Sequence, residues 1–116
     1  MPSPQAEPTK ALSREARERT RAYESLIEEI EAIEWYDQRV DVCTDEELKK
    51  LLRHNMNEEM EHATMIFEWL RRNVDTLDEN MKKYLFTKKS IVEIEEDGAD
   101  SNDCSCSGSL NLGDLK

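Results

Sequence analysis

Apolar residues recur at helical spacing over two long stretches of this chain. Residues 10–42 hold no Gly or Pro, and Leu12, Ala16, Tyr23, Leu26, Ile27, Ile30, Ile33, Tyr36 and Val40 follow three- and four-residue steps. That pattern predicts one long amphipathic helix, with Thr9 or Ser13 placed to cap it. Thr44-Asp45-Glu46-Glu47 reads as a capping box, with Thr44 at the cap and Glu47 three positions inside. A second long helix is expected from there to about residue 72. Arg71 and Arg72 suit its negative end, and Asn73 suits a left-handed stop. So short a connection predicts an antiparallel hairpin.

The remainder is shorter and changes character. A third helix is expected over 75–86, with Leu77, Met81, Tyr84, Leu85 and Phe86 on its buried side. Ser90-Ile91-Val92-Glu93 is a second capping box, opening a segment to about residue 96. Gly, Ser, Asn, Asp and Cys dominate residues 97–109, as in a flexible linker. The expected class is therefore all-α. A lead-in over 1–9 precedes a helical domain over 10–96, then the linker, then an apolar ending over 110–116.

One position breaks the pattern. Leu48, Leu52, Glu59, His62, Ile66 and Trp69 share a stripe of the second helix, with Asn55 between. Glu59 and His62 are three residues apart and face the same way. A carboxylate and an imidazole in an apolar stripe are costly unless paired, and a metal ion can pair them. The bland alternative is a surface pair on a mis-phased helix, since Glu-x-x-His is common in Glu-rich helices. Bundle cores that hold two iron or manganese ions take one Glu from each of two helices and a Glu-x-x-His from each of two others. This chain supplies half of that set. Glu29 is the best candidate for the missing Glu: it flanks the apolar stripe of the first helix beside the small Ala32. Two copies about a two-fold axis would complete the six ligands.

Composition narrows the partners. The 116 residues carry a net charge of −11 with 37% charged residues, which leaves nothing to neutralise phosphates and argues against nucleic acid. There is no membrane-spanning run and no secretory signal, so a cytoplasmic site is expected. Cys43, Cys104 and Cys106 are too few for a disulfide framework. Cys104 and Cys106 could hold a soft metal or be incidental. Tyr36, one turn from Ala32, could bond a ligand, trap an oxidising equivalent or simply pack. Trp35 reads more simply as packing. His54, Glu58 and Glu61 share another face and form, with Glu28, Glu31 and Glu34, a second possible cation patch or a solvated surface. The Leu110, Leu112 and Leu115 ending suits either extended docking on a partner or a frayed terminus.

The stretch Glu31-Ala32-Ile33-Glu34-Trp35-Tyr36-Asp37-Gln38-Arg39-Val40-Asp41 resembles the first-helix signature of the encapsulated ferritins. His54-Asn55, Glu58-Glu59, Glu61-His62-Ala63, Glu68-Trp69-Leu70-Arg71-Arg72-Asn73 and Tyr84-Leu85-Phe86-Thr87 continue the resemblance over roughly residues 20–95. The Leu-Asn-Leu-Gly-Asp-Leu-Lys ending is similar to a peptide that directs cargo into an encapsulin shell. The resemblance implies a ferroxidase that oxidises Fe(II) to Fe(III), housed in an encapsulin nanocompartment that stores the iron. It implies hairpins dimerising into a ferritin-like four-helix bundle, and a ring-shaped decamer, a pentamer of dimers. It implies a di-iron centre, two Fe per subunit pair, taking Glu29, Glu59 and His62 from each side, with Tyr36 beside it. Glu28, Glu31 and Glu34 match a metal-access route, and His54, Glu58 and Glu61 an outer metal patch. The competing reading is a non-catalytic dimeric adaptor that docks through its tail. A third is a different di-iron oxidase or peroxidase.

Overall fold

A computed structural model describes residues 7–101 of the chain. The described residues form a short 3₁₀ turn, Thr9–Ala11, and four helices: α1 Arg14–Val42, α2 Glu46–Asn73, α3 Asp75–Tyr84 and α4 Ile91–Ser101. No strand occurs among the described residues. The chain divides into two compact units, one ending at Leu70 and one beginning at Arg71.

In the first unit, Ser13 rather than Thr9 caps α1: the Ala16 N–H donates to its Oγ at 3.0 Å. The helix ends at Cys43, whose extended backbone (φ −72°, ψ 130°) stops the spiral while its N–H still reaches the Arg39 carbonyl. The cap of α2 differs from the expected capping box. The Leu48 N–H donates to Asp45 Oδ2 at 2.8 Å, so Asp45 is the capping residue and Thr44 lies outside the helix. A carboxylate at this place accepts a charge-assisted bond and also faces the positive helix end, which explains why it displaces a threonine hydroxyl.

Glu29 of α1 meets His62 of α2. Both stand about 20 Å from the three-residue connection along their helices, so the two helices run antiparallel. The seam between them is thin. Within the first unit only Val40, Ala63 and Leu70 are buried among the described residues, all three small or medium in size. Tyr23, Ile27, Ile30, Trp35, Leu48, Leu51, Met60, Met65, Phe67 and Trp69 remain exposed. A hairpin has one seam, whereas each helix here carries apolar residues over more than that seam can cover.

The second unit holds α3 against the end of α2 through an Arg71–Asp78 ion pair, to which Lys82 adds a second at 3.0 Å. Asn73 does not take a left-handed conformation; among the described residues the one non-glycine residue with positive φ is Phe86, at 64°. α3 ends at Tyr84, two residues early, because the backbone is already extended at Leu85 (φ −69°, ψ 144°). The Leu85 N–H closes on the Met81 carbonyl and the Thr87 hydroxyl on the Tyr84 carbonyl. Leu77, Met81 and Tyr84 are half-buried as expected, but Leu85 and Phe86 lie beyond the helix and are exposed. The helix α4 continues through residues 97–101, where composition points to the start of the linker. The rest of the linker, Cys104, Cys106 and residues 110–116 lie outside the described residues.

Asp45→Ala should lower stability by about 1 kcal/mol, the usual worth of such a cap, whereas Thr44→Ala should be close to neutral. Urea unfolding followed by circular dichroism compares the two. Equal losses would contradict the placement of the cap.

Candidate metal centre

The seam brings three side chains together. His62 Nδ1 lies 2.9 Å from Glu59 Oε1 on its own helix and 3.1 Å from Glu29 Oε2 across the seam. The first contact follows from the three-residue step within α2. The second needs α1 and α2 in one fixed register, so it reports the hairpin's packing. Among the described residues, Glu29, Glu59 and His62 form the group whose ligand atoms all lie within 4.8 Å of one another.

Both carboxylates can only accept hydrogen bonds, so an Nδ1 that faces both must carry a proton. That proton occupies the place a cation would take. A metal arriving there replaces it, because imidazole ligates in its deprotonated form. The pair raises the His62 pKa above the usual 6.5, chiefly through the hydrogen bond to Glu59, opposed by desolvation and helped by the Glu29 charge. Two carboxylates and one imidazole suit divalent iron, manganese or zinc. Three donors also leave most of an ion's coordination sphere unfilled.

The site sits at the rim of the seam. The Glu29 and Glu59 side chains are roughly a fifth to a quarter exposed (21% and 24%), while that of His62 is 45% exposed. The apolar stripe on α2 was expected to bury the pair, but one hairpin leaves this edge open. Beside it runs an open groove of about 480 Å³, in which Ala22 and Ser25 of α1 face His62, Met65, Ile66 and Trp69 of α2.

The other candidates lie elsewhere. Tyr36 is half-buried with the Arg39 guanidinium 5.7 Å from its ring centre, and stands two turns, about 10 Å, along α1 from Glu29. Trp35 is exposed and lines a small surface depression with Gln38 and Arg39. Glu28, Glu31 and Glu34 are exposed on α1, and His54, Glu58 and Glu61 are exposed on α2. Within one chain, neither set draws its ligand atoms together as Glu29, Glu59 and His62 do. No described helix is long and apolar enough to cross a membrane.

A helical hairpin with a carboxylate on one helix and a Glu-x-x-His on the other places the chain in the ferritin-like class. Residues 4–88 match the EncFtn-like family, and the chain belongs to it. It is 54% identical to a ferritin-like protein of Thermotoga maritima, over 78% of this chain and 80% of that one. An encapsulated ferritin-like protein of Rhodospirillum rubrum is 45% identical, over 95% of this chain and 86% of that one. A crystal structure of a Nitrosomonas europaea protein superposes with a TM-score of 0.74 at 50% identity, covering 77% of this chain and 98% of that one.

The raised pKa carries a sign. Stability contributed by the His62 contacts is fully present below the unfolded value near 6.5 and is lost as pH rises through the folded value. Glu59→Gln should lower the His62 pKa more than Glu29→Gln does, read by NMR titration of the imidazole in the metal-free protein. An equal or reversed ranking would contradict the geometry described here.

Proposed function

We propose that this protein is a ferroxidase whose di-iron centre is completed between two copies of the chain. The observation that carries the proposal is the convergence of Glu29, Glu59 and His62 at an open edge. One chain offers two carboxylates and one imidazole. Two chains related by a two-fold axis offer four carboxylates and two imidazoles, the donor count of a two-metal bundle site. The family membership supports iron as the metal. Iron is then both substrate and cargo.

Each side chain has a separate task in this reading. The four carboxylates neutralise the charge of two Fe(II) ions, and their hard oxygens favour the ferric state more than the ferrous. His62 gives up its Nδ1 proton when metal arrives. Two Fe(II) together supply two electrons to dioxygen, which with two protons leaves as hydrogen peroxide. The exposed carboxylates Glu28, Glu31 and Glu34 would draw cations towards the site, and His54, Glu58 and Glu61 would hold them further out. Tyr36 is close enough along α1 to support the ligand set through intervening groups.

The exposed apolar residues support assembly beyond the dimer. At about 100° per residue, Met65 and Trp69 of α2 project on the groove side of the seam, while Tyr23, Ile27 and Ile30 of α1 project on the other side. A hairpin with apolar residues on both sides can engage two neighbours. A ring of dimers, with five dimers in the decamer, satisfies both sides. The R. rubrum relative is named as encapsulated, which supports housing inside an encapsulin shell within the cytoplasm. The Leu110, Leu112 and Leu115 ending is the segment suited to dock on that shell.

The test is aerobic Fe(II) oxidation by the assembled protein, followed by oxygen consumption and ferric absorbance. Glu29→Ala, Glu59→Ala and His62→Ala should each slow it at least tenfold while assembly persists. Three assembled variants that oxidise iron at the parent rate would overturn the assignment. Deleting residues 110–116 should leave oxidation intact and abolish co-purification with a co-expressed shell protein. Unchanged co-purification would contradict the docking role, and a protein that neither binds nor oxidises Fe(II) but still docks through its tail would favour the helical adaptor.

A further inference from the structure

We infer that the Leu-rich segment 110–116 docks on the α3–α4 corner of its own chain, a resting contact that precedes the shell docking proposed above. The corner belongs to the second unit, not to the hairpin sides assigned above to neighbouring copies. Phe86 there is fully exposed, and Leu85, Ile91 and Val92 are exposed by half or more. The Phe86 backbone is left-handed, φ 64°, a conformation costly for a bulky residue. A costly backbone that holds a large apolar side chain in water gains nothing alone and suits one half of a contact.

Charge points to the occupant. Residues 80–92 hold Lys82, Lys83, Lys88 and Lys89 and no Asp or Glu, in a chain of net charge −11. Lys82 pairs with Asp78 at 3.0 Å, Lys89 pairs with Asp97, and Lys83 stands over the Tyr84 ring. Lys88, two residues from Phe86, has no such partner among the described residues. Segment 110–116 carries the complement: Leu110, Leu112 and Leu115, with Asp114 between the last two. The leucines cover Phe86 and Ile91, and Asp114 faces Lys88. Short extended segments dock in this way, by side chains entering apolar pockets.

Chain length allows the contact. α4 packs on α3, with the Lys83 side chain against Gly98, where a Cβ would meet its ammonium. From Ile91 to Ser101 the helix rises about 15 Å. Residues 102–109 span up to about 27 Å when extended, so segment 110–116 reaches the corner without help from a neighbour. The tether also favours the contact within a chain over the same contact between chains. A segment held there keeps its leucines from other apolar surfaces, and a shell site must compete with the corner to take it.

Hydrogen–deuterium exchange read by mass spectrometry compares the full-length protein with a chain ending at residue 109. Amides of 85–92 should exchange at least threefold more slowly in the full-length protein. Lys88→Glu should remove most of that difference, and adding Asp114→Lys to it should restore it. Equal exchange with and without the segment overturns the inference. So does slow exchange that persists in the shortened chain, because a second copy then covers the corner. Shortened chains mixed with full-length Lys88→Glu chains should gain no protection; protection there assigns the segment to a neighbour and also overturns it. The readout involves no shell: if shell capture does not depend on 110–116 while the exchange difference is present, the shell-docking reading falls and this inference stands.

Discussion

The contact between His62 and two carboxylates, one from each long helix, is the constraint on which the rest depends. It fixes the hairpin's register, because Glu29 and His62 meet only if α1 and α2 are correctly phased. It also places three ionisable groups at an edge that one chain does not close. A proton on Nδ1 satisfies the group in the metal-free chain, and a metal ion is the chemical equivalent of that proton with higher charge. The same geometry thus stabilises the fold without metal and presents a ligand set to it.

The thin seam has the same consequence at a larger scale. Two helices of about 40 Å each bury only Val40, Ala63 and Leu70 within or beside their contact. Covering a half-exposed Ile or Trp contributes about 1 kcal/mol, and several such residues line each side of the hairpin. In the proposed reading a second copy would supply both the apolar surface that covers these residues and the further ligands of the site, so assembly and metal binding would be coupled through one edge.

Much of the fold is legible in the amino-acid sequence. The 3.6-residue period predicted both long helices, and the polar interruption at Glu59 and His62 marked the candidate site because charge in an apolar stripe is costly. Glu29 followed from its phase beside Leu26 and Ala32. Local backbone chemistry was harder to read. Thr44 and Asp45 are both good caps, and the choice between them depends on which oxygen reaches the Leu48 N–H. Asn73 does not take the left-handed conformation expected at the end of α2, and α3 stops early at an extended Leu85, so Leu85 and Phe86 lose their expected burial. Acidic composition suggested a linker from Asp97, yet α4 carries on to Ser101. The exposure of the site itself could not be read from one chain's periodicity, because a helix face destined for a partner looks the same as one destined for its own core.

Native mass spectrometry under anaerobic Fe(II) titration tests whether the ligand set is completed between chains. Iron should appear on dimers and their multiples only, two Fe per pair of chains, with no iron on the monomer at any chain concentration. Iron retained by a monomer at the same affinity, or a dimer that saturates with iron after Glu29, Glu59 and His62 are all replaced, would show that one chain suffices or that the ligands lie elsewhere.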